Sequence, residues 1–359
     1  MKNCVILIFC LLLSFLNASA QSVIENKPTA KGYSESVGYM PIEFPDDKAK
    51  NDKKPNAKPD KNKNNGASKQ DNNITIPVTV VDKQGKFIED LQNGDFDILI
   101  DDQKIDKFSL ESKAQPLNII LLLDTSPSTV LKITELQNYA LNFVETLNPQ
   151  DKIMIVVFDV GFKVKTELTN DRNIITKAIK KTNFGNGTSL YEAIQKLFEK
   201  HIKPTEERTA VVLITDGVDT TSGTSDYPKS LAIAENYNIP FFVVNIDSFE
   251  NNQKTQNNAS NNILFRTIFR KNPQQTLESI KLQYEIGKSY LNDLIYLSGG
   301  RVSLFENKTD PQFAEELRFK YYLKFTPPET DKVGARKKIK VRVNRPDLVV
   351  FAKGSYIAN

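Results

Sequence analysis

The chain has 359 residues, long enough for two domains, and a formal net charge of +4 that is too small at this size to argue for nucleic acid by itself. It contains no tryptophan, one histidine (His201) and two cysteines (Cys4 and Cys10). That inventory thins out His-based catalysis and thiolate metal sites.

The N-terminus reads as an export signal. Lys2 precedes an apolar run over residues 4–16, and Asn17, Ala18, Ser19 and Ala20 supply a small-x-small ending. The run is shorter than the roughly 18 to 20 apolar residues that a bilayer requires. Residues 1–20 are therefore expected to be a signal peptide cleaved after Ala20, leaving a protein that is secreted or extracytoplasmic, in the periplasm or at the cell surface. A lipid anchor on Cys10 is the weaker reading, because Phe9 precedes it and Leu11, Leu12 and Leu13 continue the run. Both cysteines lie in the discarded segment, so the mature chain has neither a disulfide nor a thiolate site. No later stretch is long and apolar enough to form a transmembrane segment.

Residues 21–73 read as a linker rich in Lys, Asn and Asp, most plainly from 46 onward. Such a composition cannot offset the entropy of ordering, so disorder and a tethering role are expected. Residues 21–44 hold a few aromatics but no period, and little structure is expected there. An N-terminal β segment follows over 74–112. Alternating β-branched residues predict a strand at 74–81, and others follow at 96–100 and near 105–110. A C-terminal β segment over 318–359 carries strands at 321–325, 338–343 and 348–352, punctuated by Pro327, Pro328, Asn344 and Pro346. Each set alone makes a poor core, so the two are expected to pair in one small β-sandwich.

The middle, residues 116–310, has a different grammar. Continuous apolar runs at 118–123, 153–158, 210–214 and 240–244 suit strands buried on both faces of a parallel sheet. Val130, Ile133, Leu136, Ala140, Phe143 and Leu147 recur at helical spacing, and further helices are predicted at 190–199 and about 275–297. This alternation predicts an α/β fold, a doubly wound, mostly parallel sheet, inserted into the sandwich. Residues 249–261, rich in Asn and Gln, read as a surface loop.

Ligands of such sheets sit beyond the carboxyl ends of the strands. Three segments of that kind carry oxygen side chains. The first strand runs into Asp124, Thr125, Ser126, Pro127 and Ser128. A later strand runs into Thr215, Asp216 and Gly217, and between them Gly185, Asn186, Gly187 and Thr188 open a helix. The alternation of Asp124, Ser126 and Ser128 lets three side chains of one loop face the same way. Two carboxylates and three hydroxyls are hard donors, suited to Mg²⁺, Mn²⁺ or Ca²⁺ and unsuited to zinc. They would neutralise the ion without closing its shell of about six oxygens, leaving a position for a carboxylate from a partner.

Asp-x-Ser-x-Ser at 124–128, Thr188 within Gly-Asn-Gly-Thr-Ser-Leu-Tyr and Asp216 in Ile-Thr-Asp-Gly-Val-Asp together resemble the von Willebrand factor A (VWA) domain. The likeness extends to residues 291–301, and the flanking strands are similar to those of bacterial extracytoplasmic VWFA-related proteins. The resemblance implies a metal-ion-dependent adhesion site, or MIDAS. In it Ser126, Ser128 and Thr188 would ligate the cation directly, and Asp124 and Asp216 directly or through water. It implies a non-enzymatic role, metal-dependent binding of a protein ligand that supplies an acidic residue. Two other readings stay open, a metal-dependent hydrolase and a structural factor of an envelope complex.

Taken singly, these residues have plainer explanations. Ser and Asp before a helix are commonly N-caps, and Asp-Gly is commonly a turn. His201 reads as a helix-terminal residue and Asp219 as a turn former. Asp159 either bonds a neighbouring loop or faces solvent. Gly299 and Gly300 read as a helix stop. No Gly-x-x-x-x-Gly-Lys-Ser/Thr motif is present, which disfavours a nucleotide-driven machine.

Overall fold

In the computed structural model of the chain, the described residues are 34–35, 73–84, 86–111, 116–202, 208–237, 239–246, 277–305, 311–318, 321–328 and 332–358. The expected signal peptide, almost all of the expected linker, and the loop at 249–261 lie outside them.

The strands are β1 Ser34–Glu35, β2 Ile74–Val81, β3 Phe96–Ile100, β4 Gln103–Ile105, β5 Ser109–Glu111, β6 Leu117–Asp124, β7 Lys152–Phe158, β8 Phe162–Thr169, β9 Arg208–Thr215, β10 Phe241–Asn245, β11 Arg301–Leu304, β12 Tyr321–Phe325, β13 Arg336–Val343, β14 Val349–Ala352 and β15 Ser355–Ile357. The α-helices are α1 Ile133–Thr146, α2 Arg172–Lys180, α3 Leu190–Lys200, α4 Tyr227–Asn236, α5 Leu277–Ser298 and α6 Pro311–Arg318.

The central sheet has six strands in the order β11-β10-β9-β6-β7-β8. All pairs are parallel except β7–β8. The apolar runs explain it: every residue of β6 is buried, because successive side chains point to opposite faces and both faces are covered. Ile119, Leu121 and Leu123 pack with Leu136, Phe143, Ile175 and Phe313 of α1, α2 and α6. Ile120 and Leu122 pack with Ile194, Leu231 and Tyr290 of α3, α4 and α5. The doubly wound α/β sheet expected from the sequence is thus the observed architecture.

From β6 the chain moves to β7 and β8 on one side of the sheet, then crosses to β9, β10 and β11 on the other. The order therefore reverses beside β6. A crevice opens at such a switch point, beyond the carboxyl ends of β6 and β9.

The N- and C-terminal strands pair with one another. One sheet has the order β14-β2-β12-β5, and in it Ile74 lies opposite Phe325 and Val78 opposite Tyr321. The other runs β1-β13-β3-β4, with β15 also on β13. Ile76, Val78, Ile98, Leu323, Val341 and Val350 fill the space between them. Strand β5, from which the chain leaves for the central sheet, is hydrogen-bonded to β12, by which it returns.

Three details differ from the expectations. The region 105–110 holds the ends of two short strands, β4 and β5, rather than one. Within the expected linker, Ser34 and Glu35 pair antiparallel with Val343 and Arg342 of β13. Strand β8 and helices α2, α4 and α6 are short or polar on one face and were not expected.

Candidate functional site

Asp124 closes β6 and Asp216 follows β9, so the register that sets Leu123 beside Ile214 brings both aspartates to the crevice. The Asp124 side chain is fully buried. Its Oδ1 accepts the Ser126 N–H at 2.9 Å, and its Oδ2 accepts the Thr215 hydroxyl at 2.6 Å. Thr129 sits in the 3-10 turn Pro127–Lys132 and ties the loop off by donating to the carbonyls of Asp124 (3.1 Å) and Ser126 (2.9 Å). This fold of the loop sets the Ser126 and Ser128 hydroxyls 3.0 Å apart. Asp216 Oδ1 accepts the Val218 N–H at 3.1 Å.

Thr188 is held by its backbone. Its carbonyl accepts the N–H groups of Thr220 (2.8 Å) and Thr221 (3.0 Å), and its own N–H donates to Thr220 Oγ1 at 3.0 Å. The same segment is joined to the first loop, since Gly185 N–H donates to Thr125 O at 2.9 Å. All three loops are therefore stitched to one another, and the five oxygen-bearing residues Asp124, Ser126, Ser128, Thr188 and Asp216 share one end of the sheet. Ser128 is half-buried; the other four are buried.

Electrostatics single out Asp124. Burial, then the nearby Asp216 carboxylate, push its pKa from 3.8 up to about 7, against the lowering effect of the Ser126 and Thr215 hydrogen bonds. Two carboxylates buried this close repel each other, and a divalent cation between the loops would remove that repulsion. Carboxylate and hydroxyl oxygens are also the donors that Mg²⁺, Mn²⁺ and Ca²⁺ prefer, so the residues present fit such an ion. Among the described residues no group of three or more His, Cys, Asp or Glu could hold a metal ion, and the five residues here supply two carboxylates and three hydroxyls.

Glycines let the loops approach. A Cβ on Gly185 would lie 1.6 Å from Asp159 Oδ2. At Gly217, φ is +81° and a Cβ would meet Gly287 O and the Leu291 side chain at 2.8 Å, so helix α5 packs directly on the Asp216 loop.

Several supporting residues escape a reading of the sequence. Thr215 bridges the two aspartate loops through its bonds to Asp124 and from the Gly217 N–H at 3.0 Å. Glu192 Oε1 accepts the N–H groups of Gly223 and Thr224 at 2.8 Å each. These bonds hold its carboxyl at about 2 and fasten the 219–226 loop to α3. Asp219 does form a turn, accepting from Ser222 N–H and Oγ, and it also receives the Tyr191 N–H at the start of α3. Asp159 bonds its own turn, Oδ1 accepting the Gly161 N–H at 2.7 Å. His201 follows α3 and stacks on Phe162 with ring centroids 5.4 Å apart.

The von Willebrand factor type A domain profile matches residues 118–283. Among solved structures, the conserved hypothetical protein BatB from Bacteroides thetaiotaomicron is 20% identical over 36% of this chain and 66% of its own, with a TM-score of 0.32. The vWF domain of the type V pili tip protein Mfa5 from Porphyromonas gingivalis is 17% identical, over 30% of this chain and 40% of its own (TM-score 0.28). A von Willebrand factor type A protein from Catenulispora acidiphila is 11% identical, over 77% and 73% (TM-score 0.38). The matches thus span just under two thirds of BatB and two fifths of the Mfa5 chain. Comparison with curated proteins gave no match. The profile match covers most of the doubly wound sheet, with its Asp-x-Ser-x-Ser loop at the switch point, so residues 118–283 carry a von Willebrand factor type A domain.

Proposed function

We propose that this is an extracytoplasmic binding protein that engages an acidic side chain of another protein through a divalent cation held by Asp124, Ser126, Ser128, Thr188 and Asp216. The observation that carries the reading is the buried Asp124–Asp216 pair at the switch point, beside hydroxyls set 3.0 Å apart. A pair of repelling carboxylates is a cost to the fold unless something positive occupies the space between them. Two carboxylates neutralise a divalent ion and leave its remaining positions to water and to one oxygen of a partner. VWA domains commonly bind protein partners, which agrees with this use of the site. The apolar N-terminal run supports export, and among the described residues no helix is long and apolar enough to cross a membrane.

The direct test is titration of Mg²⁺ and Mn²⁺ into the pure chain and into Asp124→Ala, followed by calorimetry and thermal unfolding. At about a hundredfold excess over its dissociation constant a bound ion stabilises by about 2.7 kcal/mol, on the order of 5–10 °C for a domain of this size. That shift is expected in the wild type and not in Asp124→Ala. Equal responses, or none in either, would sink the metal site. Capture of partners from native envelope extracts should be lost with chelator; capture that survives chelation would overturn the metal-bridged mode.

A further inference from the structure

Beside the candidate metal face, two large apolar side chains stand out of the surface. Val160 is 48% exposed and Phe184 is 43% exposed. Single exposed apolar residues are ordinary. These two differ in where they sit and in how firmly they are held.

Val160 lies in the turn between β7 and β8. That turn is closed by Asp159 N–H donating to Gly161 O at 3.1 Å and by Gly161 N–H donating to Asp159 Oδ1 at 2.7 Å. Phe184 precedes Gly185, whose N–H is bonded to Thr125 in the Asp124 loop. The two segments touch at both ends: Asp159 fills the space of a Cβ at Gly185, and a Cβ on Gly187 would lie 2.9 Å from Val160 Cγ1 and 2.8 Å from Thr221 Cγ2. Ser189 N–H completes the join by donating to Asp159 O at 2.7 Å. Val160 and Phe184 are therefore fixed on one ridge that runs up to Thr188, not carried on loose loops. A pre-ordered apolar surface can be covered without a further entropic cost of ordering it.

We propose that Val160 and Phe184 form a specificity rim that selects, in the protein partner, an aliphatic or aromatic side chain next to the acidic residue presented to the metal. This rests on the metal-bridged reading above. Charge complementarity fixes the occupant. The cation calls for one carboxylate, while Asp159, half-buried on the same ridge, repels a second. The flanking residue is therefore apolar, not acidic.

The test uses labelled short peptides with one central Glu flanked by Leu or Phe, by Ser, or by a second Glu. They are titrated by fluorescence anisotropy against the full chain in saturating Mg²⁺ and again with chelator. The Leu- and Phe-flanked peptides should bind about tenfold tighter than the Ser-flanked one, the gain from covering one such side chain, and the Glu-flanked one most weakly. A Val160→Ser/Phe184→Ser variant should keep chelator-sensitive binding and its unfolding temperature but lose the preference. Equal affinities for the peptides, or a preference that persists in the double variant, would overturn the rim. Mg²⁺ binding without capture of any peptide would instead overturn the metal-bridged reading, and the rim with it.

Discussion

Asp124 behaves as a proton trap when no cation is near. Its pKa stands at about 7 in the fold and at 3.8 when unconstrained. Below about pH 4 the carboxyl is protonated in both states and costs the fold nothing. As pH rises from there toward 7, the unfolded chain gives up the proton while the folded chain must keep it or accept the repulsion of Asp216. The cation-free protein is therefore expected to lose stability across this window, and Asp124→Asn to flatten the loss. Mg²⁺ competes for the same oxygens, so the stabilisation it confers should grow from about pH 5 to 8. Thermal unfolding over that range, with and without Mg²⁺, measures both slopes. A Mg²⁺ effect independent of pH would contradict the assignment. The convergence of Asp124, Ser126, Ser128, Thr188 and Asp216 at one end of the sheet was legible in the sequence, because oxygen side chains stand out after apolar strands. Thr215 and Glu192 were not, because their partners lie 91 and about 31 residues away and nothing local marks them.

At the scale of elements, the site depends on how closely three loops can approach. Gly185→Ala would drive a methyl group into Asp159, so one of the two loops must move. The expected cost is about 1–3 kcal/mol of stability, with weaker Mg²⁺ affinity as the Gly185–Thr125 bond is strained. Gly94→Ala is the matching control, since a Cβ there meets nothing within 4 Å. Calorimetric titration of both variants separates a local effect on the site from a general effect of adding a methyl group. The strands that frame the site, β6, β7, β9 and β10, were readable as apolar runs because both of their faces are covered. Strand β8 was not: it is an antiparallel edge strand whose Lys163 and Glu167 side chains stand at the surface, a pattern that protects an edge and hides it from hydropathy. Helix α4 was missed because it is ten residues long and buries only Ser230, Leu231, Ala234 and Glu235.

Across the whole molecule, the sandwich is fastened to the A domain by a buried polar network. Glu235 of α4 is fully buried and accepts from Arg336 Nε at 3.0 Å and from its terminal nitrogen at 2.7 Å. Ser355 Oγ also donates to its carboxylate, and Lys353 Nζ donates to its backbone carbonyl. All three partners belong to the C-terminal strands or the turn between them. Glu235→Ala would remove the carboxylate that accepts from Arg336 and Ser355 and faces buried Lys353; because Arg336 is about a third exposed and the Lys353 bond to the backbone carbonyl is kept, the expected loss is about 1–3 kcal/mol. Differential scanning calorimetry is expected to show one transition for the wild type, and for the variant an early sandwich transition split from that of the A domain. A single, unshifted transition would mean that the network does not couple the two parts. The pairing of chain ends was legible, since neither β segment can bury its face alone. Glu235 was not, because a lone glutamate in a short helix gives no sign of a partner 101 residues on.

The pairing of β2 with β12 also decides how this molecule bears load. Ile74, where the chain emerges from its N-terminal segment, lies opposite Phe325, and Val78 lies opposite Tyr321, the point of return from the A domain. A pull applied between Ile74 and Tyr321 would thus draw the two strands along their length in opposite directions. Their hydrogen bonds are loaded together, in shear, instead of being peeled one by one. Against such a pull the sandwich is wired in its stronger orientation.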